Sequence, residues 1–170
     1  MATVALPRAT ARTLTVLVDD HPGVLNRVAS LLRRRRFNIE SLTVGASEQP
    51  GLSRMTIALH ADDDAAEQAI KQLYKLVEVR KVTDLSAERF VARELALVKV
   101  AANQENRAQI REVADLFGAR IVDVAPRSLV IEAVGSQERV DGLLETLRPY
   151  GIRELVRTGR VAITRGGGES

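Results

Sequence analysis

Two short runs of the sequence carry residue types that suit the binding of a small molecule. The first run, at 20–25, reads DHPGVL and follows an apolar segment. Pro22 suits the start of a helix, and a glycine after it lets a ligand approach the backbone closely. The first amides of a helix have no partner within it and attract a carboxylate. This run therefore predicts an anion-binding helix start formed by Gly23, Val24 and Leu25.

Two further side chains add polar groups to this helix start. Asp20 precedes it, and its carboxylate can accept a hydrogen bond from an ammonium group. The second run, at 38–45, opens a strand with Asn38, whose side-chain amide both donates and accepts. The helix start, as a receptor for a carboxylate, and Asp20, as an acceptor for an ammonium group, meet the minimum requirement for binding a free α-amino acid. Both runs also have an ordinary structural interpretation, because residues 20–23 can form a simple helix cap and turn, and Asn38 can be the left-handed residue that ends a helix.

The composition indicates a folded chain without a strong charge signature. Of the 170 residues, 45% are hydrophobic, and 25 Lys and Arg against 22 Asp and Glu leave a formal charge of only +3. The absence of cysteine excludes disulfides and thiolate metal sites. No apolar run approaches the roughly 20 residues that cross a bilayer. We therefore expect a cytoplasmic protein that binds neither nucleic acid nor membrane.

The sequence shows no pattern typical of a catalytic or metal site. His60 and the acidic run at 62–64 lack a recurring metal-ligand spacing, and the acidic run is typical of a capped helix start. Neither a Ser-His-Asp order nor a glycine-rich phosphate loop occurs. The arginines at 33–36 fit the last turn of a helix, where cations are favoured. We predict no catalytic residue and no metal on this chain.

Hydrophobic spacing predicts the same order of elements twice, namely strand, helix, strand, strand, helix and strand. The last strand of the second half is predicted over 152–163. This order predicts an α+β fold of two ferredoxin-like βαββαβ domains, each an antiparallel sheet with two helices on one face. The predicted boundaries are 12–85 and 95–165 for the domains, 86–94 for a linker, and 1–11 and 166–170 for flexible tails.

One face of each predicted sheet carries no helix. The second and fourth strands are edges in this topology. An uncovered face and a free edge both favour pairing with another copy of the chain. We therefore expect a homodimer.

Several segments resemble one protein family. They are NIESLTVG at 38–45, LSRMTI at 52–57, KQLYKLV at 71–77 and RELALVKV at 93–100. Together they closely resemble the small, regulatory subunits of acetohydroxyacid synthase, also called acetolactate synthase. The resemblance covers about residues 13–165 and is looser in the second half, where VDVAP at 122–126 is the best match.

The resemblance implies an N-terminal ACT domain that binds valine or another branched-chain amino acid between the two chains of a dimer. By matching position, the effector-binding residues are Asp20, Gly23, Val24 and Leu25 from one chain and Asn38 and Ile39 from the other. The aliphatic walls around the effector side chain are then expected from Val24, Leu25 and Ile39.

The resemblance further implies that this chain is not itself an enzyme. It would activate a separate catalytic large subunit and confer allosteric feedback inhibition in branched-chain amino acid biosynthesis. Thiamine diphosphate, magnesium and FAD would all lie on that subunit, and no cofactor on this chain. The second half, an ACT-like domain without a Pro-Gly turn before its helix, is the expected contact with the catalytic subunit.

An RNA-binding module of ferredoxin-like fold is the alternative, because it has the same βαββαβ order. Such modules stack bases on aromatic residues in their central strands. The corresponding runs at 55–59, 121–124 and 129–134 contain no aromatic residue. The composition of the strands therefore argues against RNA binding.

Overall fold

A computed structural model of the protein describes residues 10–166. The first half contains the six expected elements, which are β1 (Thr10–Asp19), α1 (Val24–Arg34), β2 (Ile39–Ala46), β3 (Leu52–Ala61), α2 (Asp63–Leu73) and β4 (Val79–Asp84). The strands form an antiparallel sheet in the order β2-β3-β1-β4. The predicted fold is confirmed for this half, and β2 and β4 are the edges of its sheet.

The core of the first half lies between the two helices and one face of this sheet. Alternate strand residues such as Leu14, Val16 and Ile57 are fully buried there. α1 adds Val28 and Leu32, because apolar residues recur along it every three or four positions. Both helices therefore cover the same face of the sheet.

The opposite face is not open, although the sequence predicts that it is. Thr13, Thr15, Thr56 and Ala58 alternate with the core residues and so point to that side, yet their exposed fractions lie between 0% and 6%. The prediction was wrong at the centre of this sheet. An alternating pattern shows which residues face the helices and carries no information about the cover on the other side.

α1 ends at a left-handed residue that is not the expected asparagine. The amide of Phe37 donates to the carbonyl of Leu32 at 3.0 Å, and the amide of Arg36 donates to that of Arg33 at 2.9 Å. These are the paired bonds of a Schellman motif, in which the residue after the cap is left-handed. That residue is Arg36, with φ +61°. Ending the helix is therefore not the role of Asn38.

The second half repeats the pattern after a 3-10 turn at Leu85–Ala87. Its elements are β5 (Phe90–Ala101), α3 (Arg107–Leu116), β6 (Arg120–Ala125), β7 (Ser128–Gly135), α4 (Gln137–Leu147), a 3-10 turn at Arg148–Tyr150, β8 (Ile152–Arg157) and β9 (Val161–Thr164). The sheet order is β6-β7-β5-β8, and β9 also pairs with β5. Val98, Ile131 and Leu143 lie at the centre of a separate core. The predicted α+β fold therefore holds for this half as well.

The strand predicted over 152–163 is two strands. The chain turns between β8 and β9, where Gly159 has φ +78°. Apolar residues lie on both sides of the turn, so their spacing alone does not reveal it, whereas a glycine with positive φ redirects the backbone between them.

The chain folds into two compact units. Of the described residues, one unit comprises 10–91 and 162–166, and the other is Ala92–Val161. The stretch at 86–94, predicted as a linker, contains part of a 3-10 turn and the first residues of β5. The predicted tails fall almost entirely outside the described residues, although β1 already begins at Thr10. No helix within residues 10–166 is long and apolar enough to span a membrane.

Candidate functional site

The predicted helix start lies on the turn between β1 and α1. Gly23 directly precedes the helix with φ +93° and ψ −14°, a conformation that L side chains rarely adopt. A β-carbon at Gly23 would meet nothing within 4 Å, so the backbone there borders open space. Within residues 10–166 no side chain caps α1, and its first turn has no acidic residue. The turn therefore offers a ligand backbone N–H groups and the positive end of the helix dipole.

Val24 and Leu25 differ in what they can contribute. The amide of Val24 points towards the carbonyl of His21 at 3.5 Å, a long contact that leaves it only partly engaged. The side chain of Val24 is 3% exposed and belongs to the core, so in a single chain it offers little surface to a ligand. Leu25 is 45% exposed and remains available to an apolar ligand group.

Asp20 is exposed and is held by the hairpin between β2 and β3. Its amide donates to the carbonyl of Gly51 at 2.9 Å, and its carboxylate accepts a hydrogen bond from Ser53 Oγ at 3.2 Å. These two contacts fix an exposed carboxylate next to the helix start. The combination suits a molecule that carries both a carboxylate and an ammonium group.

Asn38 and Ile39 lie at the opposite end of the sheet in the same chain. Ile39 is level with Leu59, which pairs with Arg12 near the beginning of β1, whereas Asp20 follows the last residue of β1. About eight residues of extended strand separate the two levels, a distance of about 27 Å. One chain therefore does not bring the two groups of predicted residues together.

A buried carboxylate beside the turn is absent from the sequence-based prediction. Glu78 precedes β4, and its carboxylate contacts the guanidinium of Arg27 in α1. The backbone carbonyl of Glu78 accepts a hydrogen bond from the amide of Asp19 at 2.9 Å. Asp19 in turn accepts two hydrogen bonds from Arg80, at 2.6 and 2.7 Å, which raise the pKa of that guanidinium. No sequence pattern marks Glu78, because it lies in a loop 51 positions from Arg27.

The corresponding turn of the second unit, between β5 and α3, is closed by its own side chains. Asn103 Oδ1 accepts hydrogen bonds from the amides of Glu105 and Asn106 at 3.0 and 2.9 Å. Asn106 Oδ1 accepts one from the amide of Asn103 at 2.8 Å. These contacts hold the loop that precedes α3, although no side chain caps the first turn of α3 itself. The two units thus share a fold and differ in how the loop before the helix is held.

The acidic run and the histidine between β3 and α2 have structural roles. Asp62 caps α2 by accepting a hydrogen bond from the amide of Ala65 at 2.8 Å. His60 Nε2 lies 3.6 Å from a carboxylate oxygen of Glu40 on the neighbouring strand. Within the described part of the chain, no group of three or more His, Asp or Glu side chains could hold a metal ion.

Comparisons with known proteins cover both units. Residues 14–81 match a family model described as the AHAS small subunit-like ACT domain, and residues 93–166 match one described as the small subunit of acetolactate synthase. The chain is 52% identical over 154 residues to the acetolactate synthase small subunit of Mycolicibacterium smegmatis, which covers 91% of each protein. The chain belongs to the acetolactate synthase small subunit family.

Other members of this family agree in sequence and in fold. A probable acetolactate synthase small subunit of Archaeoglobus fulgidus is 53% identical over 154 residues, covering 91% of this chain and 96% of that protein. The crystal structure of the acetolactate synthase small subunit of Thermotoga maritima has a TM-score of 0.85 and 40% identity, with 94% of this chain and 99% of that chain covered. The family resemblance and the ferredoxin-like, ACT-type fold are thereby confirmed. The turn at 20–23 lies within residues 14–81, which match the ACT-domain model of this family.

Proposed function

We propose that this chain is the regulatory, non-catalytic subunit of an acetolactate synthase and that it binds a branched-chain amino acid, with valine as the leading candidate. The observation that carries the proposal is the turn between β1 and α1. There the exposed carboxylate of Asp20 lies beside an uncapped helix start with open space at Gly23. The helix start stabilises the carboxylate of the amino acid, and Asp20 accepts from its ammonium group.

A dimer that pairs through β2 would complete the site. In an antiparallel pair of β2 strands related by a two-fold axis, the start of one strand lies near the end of the other. Asn38 and Ile39 of the second chain then approach the end of the sheet that carries Asp20. This arrangement accounts for residues that lie about 27 Å apart within one chain acting at one site.

The two edges of the N-terminal sheet differ in a way that supports pairing through β2. From Ser41 to Ala46, β2 has neither a charged residue nor a proline. The hydroxyl of Tyr74, which directly follows α2, accepts a hydrogen bond from the amide of Val82 in β4 at 3.0 Å and donates to the carbonyl of Val82 at 3.3 Å. Arg80 adds a charge to the same strand. Charged side chains and satisfied backbone groups discourage strand pairing, so β2 is the more suitable edge.

The side chains that remain available suit a small aliphatic effector. Leu25 is exposed at the helix start, and Ile39 is only partly buried against the core. In the proposed dimer these two side chains, one from each chain, contact the effector side chain, and Asn38 adds an amide donor and acceptor. Apolar walls around a few polar groups favour a branched aliphatic amino acid over a polar one.

Effector binding would regulate the catalytic subunit through linkage. An effector that binds one arrangement of the dimer more tightly shifts the population towards it, and the catalytic subunit distinguishes the two arrangements.

In this proposal the second unit contacts the catalytic large subunit and activates it. Its sheet exposes Leu97, Val134 and Val156 on the face without helices, which supports an interface there. The active site, with thiamine diphosphate, magnesium and FAD, lies on the catalytic subunit, and both proteins act in the cytoplasm.

Calorimetric titration of the full chain with L-valine tests the proposal. We expect saturable binding of about one L-valine per chain, because a two-fold dimer has two equivalent sites. D-valine should bind much more weakly, and Asn38→Ala should lose binding because it removes the amide. Gln104→Ala, which removes an exposed amide from the second unit, is the matched control and should bind normally. The proposal fails if the full chain neither binds L-valine nor changes the activity of the catalytic subunit.

A further inference from the structure

The carboxylate of Glu78 is buried, although its partner is not. The side chain of Glu78 is 5% exposed, and that of Arg27 is 57% exposed. Burying a carboxylate costs free energy that pairing does not fully recover, so a buried ion pair is weak evidence for a role in stability. The position of Glu78 suggests a different role.

Glu78 contacts both ends of the turn that carries the proposed effector site. At the β1 end, its backbone carbonyl accepts a hydrogen bond from the amide of Asp19 at 2.9 Å. At the α1 end, its carboxylate binds Arg27. Arg27 lies one helical turn after Gly23, because its amide donates to the carbonyl of Gly23 at 3.0 Å. The residues between these two contacts include Asp20 and the helix start.

We propose that Glu78 is a positioning residue for effector binding, because it holds Asp19 and Arg27 and so sets the distance between the Asp20 carboxylate and the start of α1. This inference rests on the proposed function and deepens it. An amino acid has a fixed distance between its carboxylate and its ammonium group, so both are bound well only when the two receptors are correctly spaced. A turn held in this geometry before binding loses less conformational freedom when the effector arrives.

Titration of full-chain variants with L-valine tests the positioning role. Glu78→Gln and Arg27→Met each remove one partner of the contact, and we expect the Kd for L-valine to rise between about twofold and thirtyfold. The double variant should be no weaker than the weaker single variant, because both changes remove the same interaction. Arg80→Gln is the matched control. It removes the exposed ion pair at Asp19 and leaves the Glu78–Arg27 contact intact, so its Kd should equal that of the wild type.

Hydrogen exchange without ligand distinguishes positioning from general destabilisation. In Glu78→Gln, the amides of residues 20–27 should exchange faster, whereas the amides of β3 should keep their wild-type rates. Equal acceleration in both segments would overturn the inference. If Glu78→Gln does not fold, the same comparison in Arg27→Met decides, because Arg27 is half exposed and its loss leaves the core unchanged.

The outcomes also separate this inference from the proposed function. A wild-type chain that does not bind L-valine overturns both. A wild-type chain that binds L-valine, together with unchanged Kd values for Glu78→Gln and Arg27→Met, overturns the positioning role alone. A rise in Kd of the same size in Arg80→Gln would also overturn it, because the effect would not depend on the Glu78–Arg27 contact.

Discussion

Replacement of Gly23 by alanine isolates the backbone conformation at the helix start. An added β-carbon meets no atom within 4 Å, so steric overlap contributes nothing, and only the φ of +93° opposes the change. A left-handed conformation costs an L-residue about 1–2 kcal/mol. The less flexible unfolded chain offsets about 0.4–1 kcal/mol of this cost. We therefore expect Gly23→Ala to lower the free energy of unfolding of the N-terminal unit by about 1 kcal/mol.

Two other glycines in open space serve as matched controls in urea unfolding experiments. Gly51 has φ +80°, so Gly51→Ala should lose a similar free energy of unfolding. Gly45 has no positive φ, so Gly45→Ala adds the same methyl group without this strain and should lose less. The difference between the Gly45 and Gly23 variants therefore measures the backbone strain.

L-valine binding to the same variants tests the site. A methyl group at Gly23 occupies the space in front of the helix start, so the affinity should fall more in Gly23→Ala than in Gly51→Ala. The structural reasoning is refuted if Gly45→Ala loses as much stability as Gly23→Ala. The ligand assignment is refuted if the wild type binds L-valine and Gly23→Ala binds it equally well.

Two further predictions concern other local features. Arg36→Gly should raise the free energy of unfolding by about 1 kcal/mol by removing left-handed strain at φ +61°. Urea unfolding measures this gain, and Arg35→Gly, at φ −89°, should give none. The second prediction concerns Glu138, whose backbone hydrogen bond and contact with Ser136 lower its pKa below the ordinary 4.5. A lowered carboxyl pKa stabilises the fold above the ordinary pKa, and this contribution is lost as the pH falls through the folded pKa. The stability difference between the wild type and Glu138→Gln should therefore shrink between about pH 6 and about pH 3 in unfolding experiments.

The order of elements could be predicted from the sequence because burial imposes a period on the apolar residues. Val24 has two expected roles, one in the helical stripe from this period and one as a wall of the site from the family resemblance. A single side chain faces one direction, and the structure places it in the core. The left-handed residue was also misplaced, because asparagine suits that conformation in general, whereas the actual position depends on where the helix ends. That position is Arg36, two residues before Asn38.

The candidate site could be predicted only in part. Local patterns identify the turn at 20–25, because its chemistry depends on neighbouring residues. The contacts from Ser53 and Glu78 come from distant parts of the chain, and one sequence contains no signal for such pairs. The separation of Asn38 from Asp20 likewise follows from strand register, which fixes how far along the sheet each residue lies.

The hydrogen bonds between the Tyr74 hydroxyl and Val82 of β4 also bear on how many copies of the chain can associate. A sheet with two receptive edges can add copies at both sides and grow into a fibre, whereas a sheet with one receptive edge is used up by a single pairing. Because Tyr74 already bonds to the amide and the carbonyl of Val82, β4 is a less receptive edge than β2. If the chain pairs through β2 as proposed, this one aromatic side chain at the far border of the sheet would favour a closed pair over open-ended polymerisation.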